Sequence, residues 1–460
     1  MDRMVPRSLP PAATPARGPA AALLLALLLF GPPAAAQEAA PVWDAKSAKA
    51  AADLAERWMK ARPKTCFTDW DASARAALVE EAKKFGPIPE GKLAEIVKIL
   101  AKAAQKHGPR HGAGGKSAIQ TPYGEASFIL NGSGRGKGLV IGLHGGGPGA
   151  GAASEATKWH AKNCLGMYPQ GIQLVHDTWN TVHGERFVLS LIEIAKAQYE
   201  IDPDRVYVMG FSMGATGSFH MAGRHPDLFA GAIPAHGVLM AAPQSQVATK
   251  EEVASLQHGF LPNVRNLAVW YYTGLEDHNC MPGTFLYAND EIEDLKKRDP
   301  GGYEKIRFAS YPGLAHAFPP GEPEAGIKYI EVQKRDPFPK VVVWEYVKDP
   351  FPLEGAIEGC GRIQKQWFYW LRCERPVDRQ YVRAKIEANE ITLEVAVMPG
   401  PKGLSILLND RMIDPSKEVV VRVGKTEVWR GRPVPDFQTI LESYDARLDT
   451  RLTFDRRIDL

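Results

Sequence analysis

Cysteine is scarce. Five cysteines (Cys66, Cys164, Cys280, Cys360, Cys373) in 460 residues cannot form a disulfide framework, and an odd number leaves at least one unpaired. No C-x-x-C pair and no H-E-x-x-H occurs, so no metal site has support in the sequence. His107 and His111 are spaced for one helix face, but they stand in HGPRHGAGG, where proline and glycine forbid that helix. An excess of one charge is also missing. The 56 Lys+Arg against 53 Asp+Glu leave +3, too weak a field to capture nucleic acid or an anionic membrane. No repeat or low-complexity tract appears in the chain beyond its first 36 residues.

Long apolar runs are absent too. The run Ala20 to Phe30 falls well short of the roughly 20 residues that cross a bilayer. Arg3, Arg7 and Arg17 precede it, Gly31-Pro32-Pro33 breaks it, and Ala34-Ala35-Ala36 follows. This reads as a secretory signal peptide over 1–36, cut after Ala36. It predicts a secreted or periplasmic protein with no stable membrane anchor after cleavage. Losing three arginines and Asp2 lowers the charge from +3 to +1.

Residues 37–115 carry apolar side chains at helical spacing, as in Leu54 and Trp58 or Ile96, Val97 and Leu100, and predict a helical segment. It closes in the glycine-rich break 108–116. From 116 to 335 short apolar runs alternate with helical ones: Ser127–Leu130, Gly138–Leu143, Cys164–Tyr168, Arg205–Met209, Gly231–Pro234, Leu267–Tyr272 and Ile306–Ala309. A helix over Glu185–Tyr199 puts Val188, Leu191, Ile192 and Ala195 on one face. This pattern predicts an α/β domain with a mostly parallel sheet covered on both faces. Over 336–460 the texture becomes alternating strands, among them Val341–Val347, Gln366–Arg372, Val382–Ala388 and Glu390–Val397, with a short helix near Phe437–Ala446. That predicts an antiparallel β-sandwich. All twelve histidines lie between His107 and His316, so this last part cannot supply an imidazole base, and truncation after about residue 335 is expected to keep a reactive Ser212 while costing stability.

The chemistry gathers in four places. Arg205-Val-Tyr-Val-Met runs into Gly210-Phe-Ser212-Met-Gly214, a strand entering G-x-S-x-G with a helix after it. That turn lifts a serine hydroxyl above the sheet, and its glycines avoid collisions. Ser212 is therefore the candidate nucleophile, and an acid and then a base should follow it. Thr273-Gly-Leu-Glu276-Asp277 ends a strand and offers Asp277 as the acid, with its neighbour Glu276 as competitor. Tyr311-Pro-Gly-Leu-Ala-His316 ends the next strand and offers His316 as base; His278, beside the acid, is the rival. His144-Gly145-Gly146-Gly147-Pro148 follows an early strand, so bare backbone N–H groups of Gly145 and Gly146, with that of Met213, can face a reacting carbonyl. A phosphate loop is excluded because no G-K-[ST] follows, and Gly115-Lys116-Ser117 has Arg110 where the first glycine belongs.

Together HGGG, GFSMG, GLED and GLAH resemble the α/β-hydrolase superfamily. They look most like secreted bacterial esterases related to polyhydroxybutyrate depolymerases and feruloyl esterases, and like prolyl-oligopeptidase-family catalytic domains. The resemblance covers 120–330. It implies Ser212 as nucleophile, Asp277 as acid, His316 as base and Gly145, Gly146 and Met213 as oxyanion donors. It implies no cofactor, and a small or polymer-linked ester as the expected substrate, with a peptide as the alternative. His278-Asn279-Cys280 after the acid departs from the pattern. A reading from another class is a binding protein that works through the aromatics of the C-terminal part (Trp344, Trp367, Phe368, Tyr369, Trp370, Trp429).

Overall fold

The computed structural model describes residues 42–111, 117–146, 151–172, 179–237, 261–280, 282–348, 363–397 and 400–460. The expected signal peptide, Cys360 and most of the glycine-rich break lie outside them.

Three helices open the described chain: α1 (Ala45–Ala61), α2 (Ala72–Lys83) and α3 (Leu93–His107). Asp44 accepts the Ser47 N–H and Asp71 the Ala74 N–H at the first two N-termini, a role suited to short acidic side chains. Eight strands follow, β1 (Ala118–Thr121), β2 (Gly124–Asn131), β3 (Gly138–Leu143), β4 (Cys164–Pro169), β5 (Val206–Phe211), β6 (Gly231–Ala235), β7 (Ala268–Gly274) and β8 (Ile306–Tyr311). They form one sheet in the order β1-β2-β4-β3-β5-β6-β7-β8. The pairs from β4 to β8 are parallel, and β1 and β2 add an antiparallel edge. Helices α4 (Val182–Tyr199), α5 (Met213–Arg224), α6 (Gly283–Arg298) and α7 (Glu324–Glu331) lie between or after them. Alternation along the strands divides the burial: Ile141, Val208 and Val269 belong to one core, Val140, Tyr207 and Ile233 to another. The sheet is thus covered on both faces, as its continuous apolar strands require.

The remaining strands are β9 (Val341–Glu345), β10 (Trp367–Phe368), β11 (Leu371–Cys373), β12 (Tyr381–Glu387), β13 (Glu390–Ala396), β14 (Leu404–Leu408), β15 (Val419–Val423), β16 (Thr426–Gly431) and β17 (Arg456–Asp459). They make a four-stranded sheet, β10-β11-β14-β17, and a five-stranded one, β16-β15-β13-β12-β9, which share one core. Two expectations need correction here. β13 and β15 pair in parallel, so the sandwich is not wholly antiparallel. Gln366–Arg372 is two short strands, because Tyr369 turns the chain at φ 48°.

The aromatics offered as a binding face are largely interior: Trp344, Phe368, Tyr369 and Trp370 are buried. Nor does the last helix, α8 (Phe437–Asp445), stay with the sandwich. Phe437, Ile440, Leu441 and Tyr444 share a core with Leu54, Trp58, Ile96 and Leu100 of the first helices. Buried ion pairs tie the same elements together. Arg62 meets Glu193 and Asp445 at 2.7 Å each. Asp449 holds Lys196 at 2.7 Å and Arg335 at 2.9 Å, and Asp227 holds Lys365 at 2.5 Å and Arg447 at 2.7 Å.

Candidate active site

β5 delivers Ser212 onto a left-handed turn, φ 58° and ψ −122°, and α5 starts at the next residue. A non-glycine residue in that region is strained. Tertiary contacts hold it there: the Ser212 N–H donates to Ala235 O at 2.9 Å, and the flanking glycines remove the collisions. A Cβ on Gly210 would lie 2.3 Å from Gly214 O, and one on Gly214 would lie 2.1 Å from Leu143 O. Both glycines are needed for close approach.

Asp277 and His316 come from the loops after β7 and β8. Nδ1 of His316 lies 2.8 Å from Oδ2 of Asp277. Asp277 is buried, whereas Glu276 and His278 are exposed, which decides the geometric competition between the neighbours. Asp277 Oδ1 accepts the backbone N–H groups of Asn279 and Cys280, each at 3.0 Å, so the unusual tripeptide after the acid caps its second oxygen. Burial alone would raise the Asp277 pKa; the hydrogen bonds from His316 and His236 outweigh it and hold the group below the usual carboxylate range.

His236 is a site residue that the sequence did not single out. It directly follows β6, is fully buried, takes a left-handed φ of 53°, and places Nδ1 3.0 Å from the same Asp277 Oδ2. Burial pushes its pKa down, so the ring is neutral near pH 7. An ionised carboxylate at that distance requires the proton on Nδ1, which leaves Nε2 buried with no partner among the described residues. Its only signal in the sequence was position at the carboxyl end of a parallel strand, where sites in open α/β sheets gather. His236, Asp277 and His316 are also the one group among the described residues whose ligand atoms could hold a cation. Their spacing is instead that of two imidazole N–H donors on one acceptor.

The glycine loop sits against the serine. A Cβ on Gly145 would lie 3.3 Å from Ser212 Cβ, and Gly146 has φ +83°. His144 braces the loop: Nε2 accepts the Gly171 N–H at 3.0 Å, so Nδ1 carries the proton and donates to Gly145 O at 2.8 Å. Trp179 Nε1 donates to His144 O at 3.0 Å. Met213 opens α5, and its N–H is among those with no acceptor inside the helix. Gly145, Gly146, Ser212 and His316 line one cavity of about 360 Å³, walled by Leu143, Trp159 and Phe211. Cys280 Sγ stands 3.9 Å from Ser212 Oγ. Burial first, and the Asp277 charge next, push that thiol up to about 12, so it stays protonated and is no rival nucleophile. Cys66, Cys164 and Cys373 are likewise free thiols.

Ser212 on this elbow, His316 bonded to a buried carboxylate, and the Gly145–Gly146 turn line one cavity, an arrangement that suits acyl transfer. The order and direction of the eight strands, with helices between them, are those of an α/β-hydrolase-like fold. Residues 165–346 match the dienelactone hydrolase family. The chain is 38% identical over 117 residues to poly(3-hydroxyalkanoate) depolymerase C of Paucimonas lemoignei, a stretch that is 22% of this chain and 27% of that protein; it thus spans about a quarter of that relative's length. Among solved structures it is similar to a thermostable esterase (20% identity, 47% of this chain and 62% of that one, TM-score 0.34). It is also similar to an acetyl xylan esterase from Aspergillus awamori (16% identity, 47% and 99%, TM-score 0.36).

Proposed function

We propose that the protein hydrolyses carboxylic esters, small or polymer-linked, through a Ser212–His316–Asp277 triad and an acyl-enzyme. The reading is carried by the 2.8 Å bond between His316 Nδ1 and Asp277 Oδ2 beside the strained Ser212 turn. With Nδ1 committed to Asp277, Nε2 is the nitrogen left to take the Ser212 proton. Ser212 Oγ then attacks the ester carbonyl. The N–H groups of Gly145, Gly146 and Met213 receive the developing oxyanion, His316 protonates the leaving alcohol, and a water activated by the same ring releases the acid. No step calls for a cofactor. A depolymerase among the relatives supports including polymer-linked esters. The composition of residues 1–36 supports export with cleavage after Ala36, and N-terminal sequencing of the natural protein tests that point.

The test is a fluorophosphonate probe together with a series of p-nitrophenyl esters and a panel of peptide amides. Wild type should label and cleave esters. Ser212→Ala should lose labelling and about 10⁴-fold or more in kcat. Labelling that persists in the variant refutes the nucleophile, and faster amide than ester turnover refutes the substrate class.

A further inference from the structure

A row of aromatic rings leads from His316 to a lysine. The ring of Phe211 lies 4.7 Å from that of His316, and Phe318 lies 4.4 Å from Phe211. Lys158 Nζ stands over both phenylalanines, 4.2 Å from the Phe318 centroid and 5.6 Å from that of Phe211. Lys158 ends the 3₁₀ turn Ala153–Lys158 between β3 and β4. Together with Ser212, His316 and Phe211 it lines the cavity of about 360 Å³, yet no step of the triad chemistry uses it.

No protein oxygen takes up this ammonium. Among the described residues Nζ has the two ring faces as partners and makes no hydrogen bond or ion pair. A ring face attracts a cation but does not replace an oxygen acceptor, so three N–H donors stay open toward the cavity. Glu155, the carboxylate of the same lining, is exposed and makes no ion pair with Lys158. Desolvation pushes the Lys158 pKa down, and the Glu155 charge does not make up for it. What the cavity offers at this point is open donors rather than a net charge.

The triad decides which part of a substrate meets these donors. His316 hands its proton to the departing alkoxide, so the alcohol half of the ester lies on the His316 side, where the row of rings begins. Phe211 and Phe318 are half-buried and suit an aromatic body packed offset or edge-on. We propose that Lys158 is the specificity-determining residue of the alcohol subsite. It selects aryl esters whose phenol carries a carbonyl or carboxylate oxygen, donating to that oxygen while the aromatic body lies along Phe211 and Phe318. The proposal rests on the ester hydrolysis inferred above and names the leaving group that this site favours.

The experiment uses butyrate esters of 4-hydroxyacetophenone, 4-hydroxybenzoate and 4-ethylphenol. They share the acyl group and the ring and differ in the far oxygen, which is a neutral carbonyl, a carboxylate or absent. kcat/KM is measured on all three for wild type, Lys158→Met and Lys158→Arg, with fluorophosphonate labelling of wild type alongside. Each oxygen-bearing ester is expressed as a ratio to the ethyl ester, which cancels differences in folding, and comparing variants cancels leaving-group reactivity. In Lys158→Met at least one ratio should fall about tenfold, the larger drop telling neutral from ionised oxygen. Lys158→Arg, which keeps the charge and the donors, should regain most of it. Ratios unchanged in Lys158→Met, or no better in Lys158→Arg than in Lys158→Met, overturn the proposal, and wild-type labelling and ethyl-ester turnover would then leave the triad reading standing. Wild type that neither labels nor cleaves any of the three esters overturns both.

Discussion

Deleting everything after residue 335 would be expected, from the sequence, to leave a weakened hydrolase with a reactive Ser212; the structure predicts something harsher. The cut removes Asp445, Asp449 and Arg447, which are partners of Arg62, Lys196 and Arg335, and Asp227. It also takes Lys365, so Asp227 loses both its cations. Breaking one buried pair by removing a partner costs about 3–5 kcal/mol. Several such losses rival the whole stability of a domain, about 5–15 kcal/mol. Phe437, Ile440, Leu441 and Tyr444 leave the helical core in the same stroke, and each large apolar side chain removed adds about 2–5 kcal/mol. The truncate should therefore be insoluble or unfolded and should not label with a fluorophosphonate. A milder cut reads the same coupling: Asp449→Asn in the full chain should lower stability by about 3 kcal/mol in urea unfolding with an unchanged m-value, because it leaves Lys196 and Arg335 short of a counter-charge. A soluble truncate with a cooperative melt and normal labelling would refute the reasoning.

Other expectations concern the site and its pH response. Asp277→Asn should cost about 10⁴-fold in kcat through the wrong His316 tautomer, while Glu276→Gln, at an exposed position, should stay near wild type; equal effects in an ester assay would move the acid elsewhere. His236→Phe should lower kcat about tenfold with little change in KM, since it frees one side of the Asp277 carboxylate, and His236→Gln, which can restore an N–H donor, should recover part of the loss; unchanged kcat in the Phe variant would make His236 merely structural. Burial pushes the His225 pKa down to about 4. The unfolded chain therefore binds the extra proton between about pH 4 and its ordinary value of 6.5, and stability falls as pH drops through that window, by up to about 3 kcal/mol. Asp227, held below the carboxylate range by its two cations against the cost of burial, extends the loss in the same direction at lower pH. Melting temperatures that stay flat from pH 7.5 to 5 would contradict the His225 part.

The strand-turn-helix elbow at Ser212 was legible because its requirements are local. A strand, two glycines and a helix start within ten residues leave few other ways to fold, and the collisions avoided at Gly210 and Gly214 are those the motif exists to avoid. The order of Asp277 and His316 was legible for a related reason: each follows an apolar strand, and parallel strands bring their carboxyl ends to one side of a sheet. Between Glu276 and Asp277, adjacent in sequence, spacing could not choose. The choice depends on which carboxylate the turn after Gly274 directs inward, and the backbone N–H groups of Asn279 and Cys280 on Asp277 Oδ1 are what fix it.

What stayed hidden is non-local. α8 carries an apolar face that suits any partner, and nothing in residues 437–445 says that the partner is a helix pair several hundred residues earlier. The hub acids have the same character. An isolated Asp227 or Asp449 reads as surface, since acids are almost never fully buried unless paired, and the pairing appears only once Lys365, Arg447, Lys196 and Arg335 converge. His236 stands between these cases. Its place after β6 was visible, but sharing Asp277 Oδ2 with His316 requires β6 and β7 to be neighbours, and the sequence does not state strand order. That adjacency, with Ala235 opposite Tyr272 and the His236 N–H on Tyr272 O at 3.0 Å, locks the backbone at a strained φ and leaves the ring little freedom except toward the carboxylate. A carboxylate gripped from four sides has few alternative positions, and the ring of His316 inherits its orientation from it.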